Sequence, residues 1–256
     1  MKKIAICIGV LFCMLASFTA GMEYQRGDVN QNGEVNIADV TCLIDYLLTG
    51  TWPDDPVTPP DNHEWVDLGL PSGTLWATCN VGANSPEEYG DYFAWGETEP
   101  KDNYNWSNYK WCNGSYTTLT KYCTNNSYGT VDNKTELEVE DDAAYVNWGS
   151  SWRMPTVAQQ QELLENCTST WTTMNGVSGH LVTGPNGNTI FLPAAGYRGL
   201  ESLYDAGYYG FYWSRTLDDF QYIACSLGFD SEFLDIWLDN NRKDGFPVRP
   251  VRVSQN

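Results

Sequence analysis

The sequence predicts an α+β fold for the large carboxyl-terminal part of the chain, and three observations lead there. Short strand-like runs at 65–70, 73–79, 189–193, 210–215, 222–229 and 246–253 are separated by clusters of Gly, Asn, Asp and Pro. Two helical segments interrupt them, each with its own start and stop signals. The 11 Trp, 16 Tyr and 9 Phe supply ample apolar area for a core, so the chain is not of the disordered class.

Each helix has a local reason. The first spans about 142–148 and is closed by Gly149, and the acids Glu138, Glu140, Asp141 and Asp142 before it suit the positive end of a helix dipole. The second begins at Pro155-Thr156, where Thr156 and Gln159 have capping-box spacing, and runs to about Asn166. Between these motifs and the first strands, the stretch 103–139 is rich in Asn, Thr and Tyr without clear periodicity, which predicts mostly irregular structure. Cys112 and Cys123 are expected to close a disulfide there, because the residues between them include the turn pair Asn113-Gly114.

The amino terminus reads as an export signal over residues 1–21. Lys2-Lys3 precede an apolar stretch from Ile4 to Met14, followed by small and polar residues to Ala20. That stretch is far shorter than the roughly 20 residues a membrane span needs, and no later segment is apolar for long enough, so no span is expected. Export places the remaining cysteines where disulfides persist. The formal charge of -19 repels phosphates and excludes nucleic acid as a probable class of partner. A segment at 51–63 with four prolines reads as a semi-rigid linker.

Between signal and linker, residues 26–50 carry the most explicit chemistry in the chain. Counting Asp28 as position 1, Asn30 falls at 3, Asn32 at 5, Gly33 at 6, Glu34 at 7, Asn36 at 9 and Asp39 at 12. Ca²⁺ takes six to eight hard oxygen ligands, which this register supplies: alternate side chains face the ion, Gly33 makes the sharp turn, Glu34 offers its backbone carbonyl and Asp39 ends the loop with a carboxylate. The helix expected after it places Val40, Leu43, Ile44, Leu47 and Leu48 on one apolar face. The segment GDVNQNGEVNIADVTCLIDYLL resembles one repeat of a type I dockerin, which ends its loop with Asp. That resemblance implies a cohesin-like or other cell-surface protein as partner, and a bacterial, secreted or surface-exposed setting. Dockerins of cellulosome enzymes are tandem pairs, whereas no second loop of this register follows here.

In the module 64–254, WVDLGLPSGTLWATCNVGA, YFAWGE, WRMPT, ELLENC, IFLPAAGYR, YWS and VRPVR occur in an order that resembles the Fibrobacter succinogenes major paralogous domain. The resemblance implies a C-type lectin-like fold with small twisted antiparallel sheets, two helices and long surface loops. Trp76, Trp95, Trp152 and Trp213 sit inside these motifs and are expected in the core. The calcium-dependent sugar motifs of C-type lectins are not supported, since Glu99-Pro100 is followed by Lys101 and Trp106 by Ser107-Asn108.

Catalysis is weakly supported. His63 lies at the linker margin, His180 sits in a Gly-flanked stretch that suits a strand or turn, and no nucleophile elbow, zinc signature or phosphate loop is present. Formylglycine-generating enzymes share a lectin-like core but use a cysteine site that a lone Cys225 does not reproduce. Recognition of a glycan or protein is expected instead from the later loops, where Tyr204, Asp205, Tyr208 and Tyr209 combine flat apolar faces with polar tips and glycine hinges. The reading is a secreted binding protein with a calcium-binding adaptor, the alternative being a dockerin-tagged accessory or glycoside hydrolase in polysaccharide catabolism.

Overall fold

The computed structural model describes residues 63–237 and 240–253, together with Val40, Leu43 and Ile44. The chain divides into two compact units, Met1–Pro59 and Pro60–Asn256. In the first, Val40, Leu43 and Ile44 are all helical, and Val40 and Ile44 are each 49% exposed. No helix among the described residues is long and apolar enough to cross a membrane.

The second unit has mixed content, built mostly from small antiparallel sheets with two helices. Strands β1 (Trp65–Asp67) and β2 (Thr74–Ala77) form one sheet with the last strand, β11 (Val251–Val253), in the order β1-β2-β11. Pairing of Trp76 with both Val66 and Val251 ties the start of the unit to its end. Helices α1 (Ala143–Trp148) and α2 (Val157–Asn166) follow. A second sheet, β3-β4-β5, comprises Thr168–Met174, Val177–Thr183 and Thr189–Pro193. A two-stranded ribbon pairs β6 (Tyr197–Gly199) with β7 (Ser202–Tyr204). The last sheet is β10-β9-β8, where β8 is Gly210–Leu217, β9 Ala224–Phe229 and β10 Leu234–Trp237.

Both helices start as their sequences dictate. The Asp142 carboxylate caps α1 by accepting from the backbone N–H groups of Ala144 and Tyr145, and also accepts from the Met154 N–H and from Arg153 Nε at 2.7 Å. One fully buried carboxylate thus fixes the helix start and the entry to the next segment. On α2 the capping box is complete: Thr156 Oγ1 accepts from the Gln159 N–H, and Gln159 Oε1 accepts from the Thr156 N–H. Gly149 ends α1 at φ +92° and ψ 178°, a conformation open to glycine, and its N–H donates to the Tyr145 carbonyl.

The hairpin β3–β4 lies outside the strand-like runs assigned from sequence. Its turn is Asn175-Gly176, both at positive φ (49° and 84°), which is the two-residue turn whose twist matches the strands it joins. The four motif tryptophans are core residues: Trp76 is 1% exposed and Trp95, Trp152 and Trp213 are fully buried. Trp95, Trp152 and Trp213 share one apolar cluster with Phe93, Phe211 and Phe246, and Trp76 packs in a second with Leu163, Leu192 and Phe229.

The expected Cys112–Cys123 disulfide is not formed; both are free thiols. The turn after Cys112 exists, but it closes earlier than the pairing needs. Cys112 bridges to Leu119, and Leu119 in turn bridges to Gly129. The Cys112 thiol lies 3.0 Å from the Trp106 carbonyl and the Cys123 thiol 3.1 Å from the Asn125 carbonyl, so each is engaged locally. Leu119, 1% exposed, is the residue that organises this segment in place of a covalent bond.

Candidate functional site

The calcium-loop residues Asp28, Asn30, Asn32, Glu34, Asn36 and Asp39 lie outside the described residues. Their donor chemistry is all oxygen, with a carboxylate at each end of the register, which fits calcium and not a soft metal.

The four residues expected to bind a ligand fall on the β6–β7 ribbon and the turn that follows. Tyr204 pairs with Tyr197 across the ribbon, and their rings stack at 5.3 Å. Tyr197 in turn meets Phe211 and Phe246 of the core, so Tyr204, 40% exposed, is the outer layer of a packed stack. Asp205 adopts φ +58° and its carbonyl accepts from the Tyr208 and Tyr209 N–H groups, which makes a tight turn. That turn divides the tyrosines. Tyr208 is 73% exposed, whereas Tyr209 turns inward and stacks on Phe211 at 6.1 Å. At the ribbon tip Leu200 is exposed and holds φ +53°, a strained conformation for a branched side chain, and its backbone exchanges two hydrogen bonds with Tyr104.

A second surface assembles residues that the sequence keeps far apart. Tyr116 and Tyr128 come from the 103–139 stretch, and Phe220 and Tyr222 from the connection between β8 and β9. Tyr222 lies 5.3 Å from Tyr116, 5.7 Å from Tyr128 and 6.5 Å from Phe220, with Trp106 6.2 Å behind Tyr116. Phe220 is 59% and Tyr116 45% exposed. Arg242 holds the two segments together. Its buried guanidinium donates to the carbonyls of Lys121, Tyr122 and Gln221 at 2.9–3.0 Å, and its backbone N–H donates to the Tyr222 carbonyl. The ring of Trp95 lies 4.9 Å from the guanidinium carbon, so the fork is stacked as well as bonded. No signal in the sequence joins residue 116 to residue 222; the link is made by an arginine distant from both.

Other chemical groups resolve into structural roles. Glu138, Glu140 and Asp141 bring carboxylate oxygens within 4.8 Å of one another, but Lys121 Nζ already lies 2.5, 3.7 and 2.6 Å from them. Lys121 and Lys134 together hold the Glu138 carboxyl down at about 2. Burial tends to discharge Lys121, yet its bonds to Asp141 and Glu138 outweigh that and hold it above the ordinary lysine value. The buried Asp141 also accepts from Lys110 and from the Tyr122 hydroxyl. Burial pushes the Cys225 thiol up to about 12, which leaves it protonated and poorly nucleophilic at neutral pH. His180 is buried in β4, with Nε2 2.8 Å from the Asp230 carbonyl and its ring against Trp171 and Phe229. His63 stacks on Trp148 at 3.8 Å. A cleft of about 90 Å³ lined by Thr78, Pro86, Met174, Leu181, Ile190 and Phe191 is apolar, carries no titratable group and is well below the roughly 300–1,000 Å³ of small-molecule sites.

Comparison with known proteins identifies one segment. The family model of the dockerin type I domain matches residues 26–65. No curated protein and no solved structure matches the chain.

Proposed function

We propose that this is an exported recognition protein: a calcium-loaded dockerin-type segment docks it on a cohesin-like surface partner, and the module 64–254 presents a lectin-like recognition surface to a glycan or protein. The observation that carries the reading is the dockerin type I match at 26–65, which contains the complete oxygen-ligand register from Asp28 to Asp39. Exposure of the helical Val40 and Ile44 supports docking through this segment, because an apolar helix face left open to water is a surface suited to a partner. Calcium would be held by Asp28, Asn30, Asn32, Asn36 and Asp39 side chains and the Glu34 carbonyl, and its charge would order the loop that precedes the helix.

The module's reading as a recognition domain is supported by what its surface offers. Rigid sheets carry long loops, and Tyr204, Asp205 and Tyr208 stand exposed on one tight turn. Signal 1–21, linker 51–63 and module 64–254 then form a simple order of export, spacer and display.

The test is capture of the mature chain by immobilised type I cohesins, with and without a calcium chelator. Binding that is lost in chelator and lost in Asp28→Ala/Asp39→Ala supports the reading. Equal binding in chelator, or no binding to any cohesin with calcium bound, contradicts docking. Release of new reducing ends from a polysaccharide panel would move the protein to the enzyme class.

A further inference from the structure

The aromatic surface built from Tyr116, Tyr128, Phe220 and Tyr222 has a chemical character unlike the rest of the chain. The stretch 103–131 contains no Asp or Glu, although the whole chain has 33. Its two cations, Lys110 and Lys121, are both committed to Asp141. The stretch that carries Tyr116 and Tyr128 presents neutral groups instead: Asn113, Thr117, Thr124 and Asn125 are exposed and Ser115 half-buried. Two acids, Asp218 and Asp219, approach from the other segment, and the Asp218 carboxylate is engaged by the Phe220 N–H.

The tyrosine hydroxyls carry the second observation. Elsewhere in the unit, buried tyrosines donate to carbonyls: Tyr92 to Ala195, Tyr104 to Tyr92, Tyr109 to Trp95 and Tyr212 to Pro193, all within 2.7 Å. Among the described residues, the hydroxyls of Tyr116, Tyr128 and Tyr222 have no such partner. Flat apolar faces, free hydroxyls and a neutral amide and hydroxyl rim suit a ligand that is itself two-faced, with C–H groups on its flat sides and hydroxyls at its edges. A cation would find too few acids here, an anion no free base, and an aliphatic protein surface would leave the hydroxyls and rim amides unmatched.

We infer that this surface binds a neutral polysaccharide chain, with Tyr116, Tyr222 and Phe220 as the stacking faces and Tyr128 beside the central Tyr222. Arg242 is a positioning residue for it, since the guanidinium joins the carbonyls of residues 121 and 122 to that of 221. The inference rests on reading 64–254 as a recognition module. It is separate from cohesin docking and from the Tyr204–Tyr208 turn.

Affinity gel electrophoresis of the full mature chain decides it, with hydroxyethyl cellulose, xyloglucan, mixed-linkage β-glucan and galactomannan as neutral probes and polygalacturonate as the anionic one. Retardation by at least one neutral polymer is expected, unchanged by calcium chelator and absent with polygalacturonate. Phe220→Ala and Tyr222→Ala should each weaken it about five- to tenfold, the scale of one aromatic contact, and the double variant should abolish it. Phe233→Ala, an aromatic 63% exposed on the β9–β10 connection, should leave it intact. Thermal melts of the variants report folding, and the exposure of Phe220 predicts little change there. Retardation that survives the double variant, or that Phe233→Ala removes, overturns the platform while leaving the recognition reading standing. No retardation by any neutral polymer, or self-association removed by the double variant, overturns the inference itself.

Discussion

Two groups of tyrosines, opposite in fate, show how this module divides its aromatic residues. Tyr92, Tyr104 and Tyr109 are buried, each hydroxyl is spent on a backbone carbonyl, and burial makes them weaker acids, with pKa values above the ordinary phenol value. Tyr116 is exposed and Tyr128 and Tyr222 are half-buried at the surface, with the Tyr222 ring meeting both of the others. Arg242 lies between the groups: its Nε donates to the Tyr109 hydroxyl on the inner side, and its terminal nitrogens hold the outer loops. The same side-chain chemistry is therefore scaffold in one place and contact surface in the other, and hydrogen-bond accounting separates them.

The sharpest way to break the comparison is at Arg242. Arg242→Met retains apolar bulk but takes a buried donor from three carbonyls and from the Tyr109 hydroxyl, so denaturant unfolding should show a loss of about 3 kcal/mol or more. Arg242→Lys keeps the charge without the planar fork and should cost about 2 kcal/mol. A lysine variant as stable as the parent would show that the fork geometry is immaterial.

Next in size is the contrast between the two groups. Tyr109→Phe should destabilise by about 1–2 kcal/mol, because the Trp95 carbonyl and Arg242 Nε each lose a buried partner. Tyr116→Phe should stay within about 0.5 kcal/mol of the parent. Equal costs would erase the distinction drawn here.

The smallest effect is acid sensitivity at the lysine-centred cluster. Glu138 is held down at about 2 from an ordinary 4.5 in the folded chain, so the unfolded state binds more protons between those values. Its contribution is therefore complete above pH 4.5 and fades as pH falls toward 2. Asp132 acts in the same direction: backbone N–H groups of Cys123, Tyr122 and Lys134 outweigh its burial and hold its carboxyl down. Burial raises the Asp244 carboxyl and so works with the opposite sign. The informative quantity is thus a difference. Between pH 5 and pH 3, Glu138→Gln should lose less melting temperature than the parent, and an equal loss would contradict the role assigned to Lys121 and Lys134.

Legibility followed range. Both helices could be read because their signals lie within a few residues: Asp142 to Gly149 for the first, Thr156 to Gln159 for the second. The strands β1, β2, β5, β9 and β11 fall within runs assigned from sequence, and β8 starts with one and continues two residues past it. The β3–β4 hairpin was legible in principle from Asn175-Gly176, but its strands are rich in Thr and Ser and lack the aromatic and aliphatic bias that marked the others. The Cys112–Cys123 expectation failed because spacing alone does not reveal that Leu119 closes the turn. The outer tyrosine group was illegible for a stronger reason, since its assembly depends on Arg242 more than a hundred residues from Tyr116. The proposed calcium loop is the opposite case, since its expected ligands all fall within twelve consecutive positions.

That loop is where the central claim is most directly exposed. Calorimetric titration of calcium into the mature chain should give one binding event, on the order of 10⁻⁵ to 10⁻³ M, toward the weak end of the EF-hand range because Asp28 and Asp39 are the two side-chain carboxylates in the ligand set. Asp39→Ala should remove it. No heat at several times that concentration, or an Asp39→Ala titration that overlays the parent, would contradict the register and with it the adaptor on which the proposed function stands.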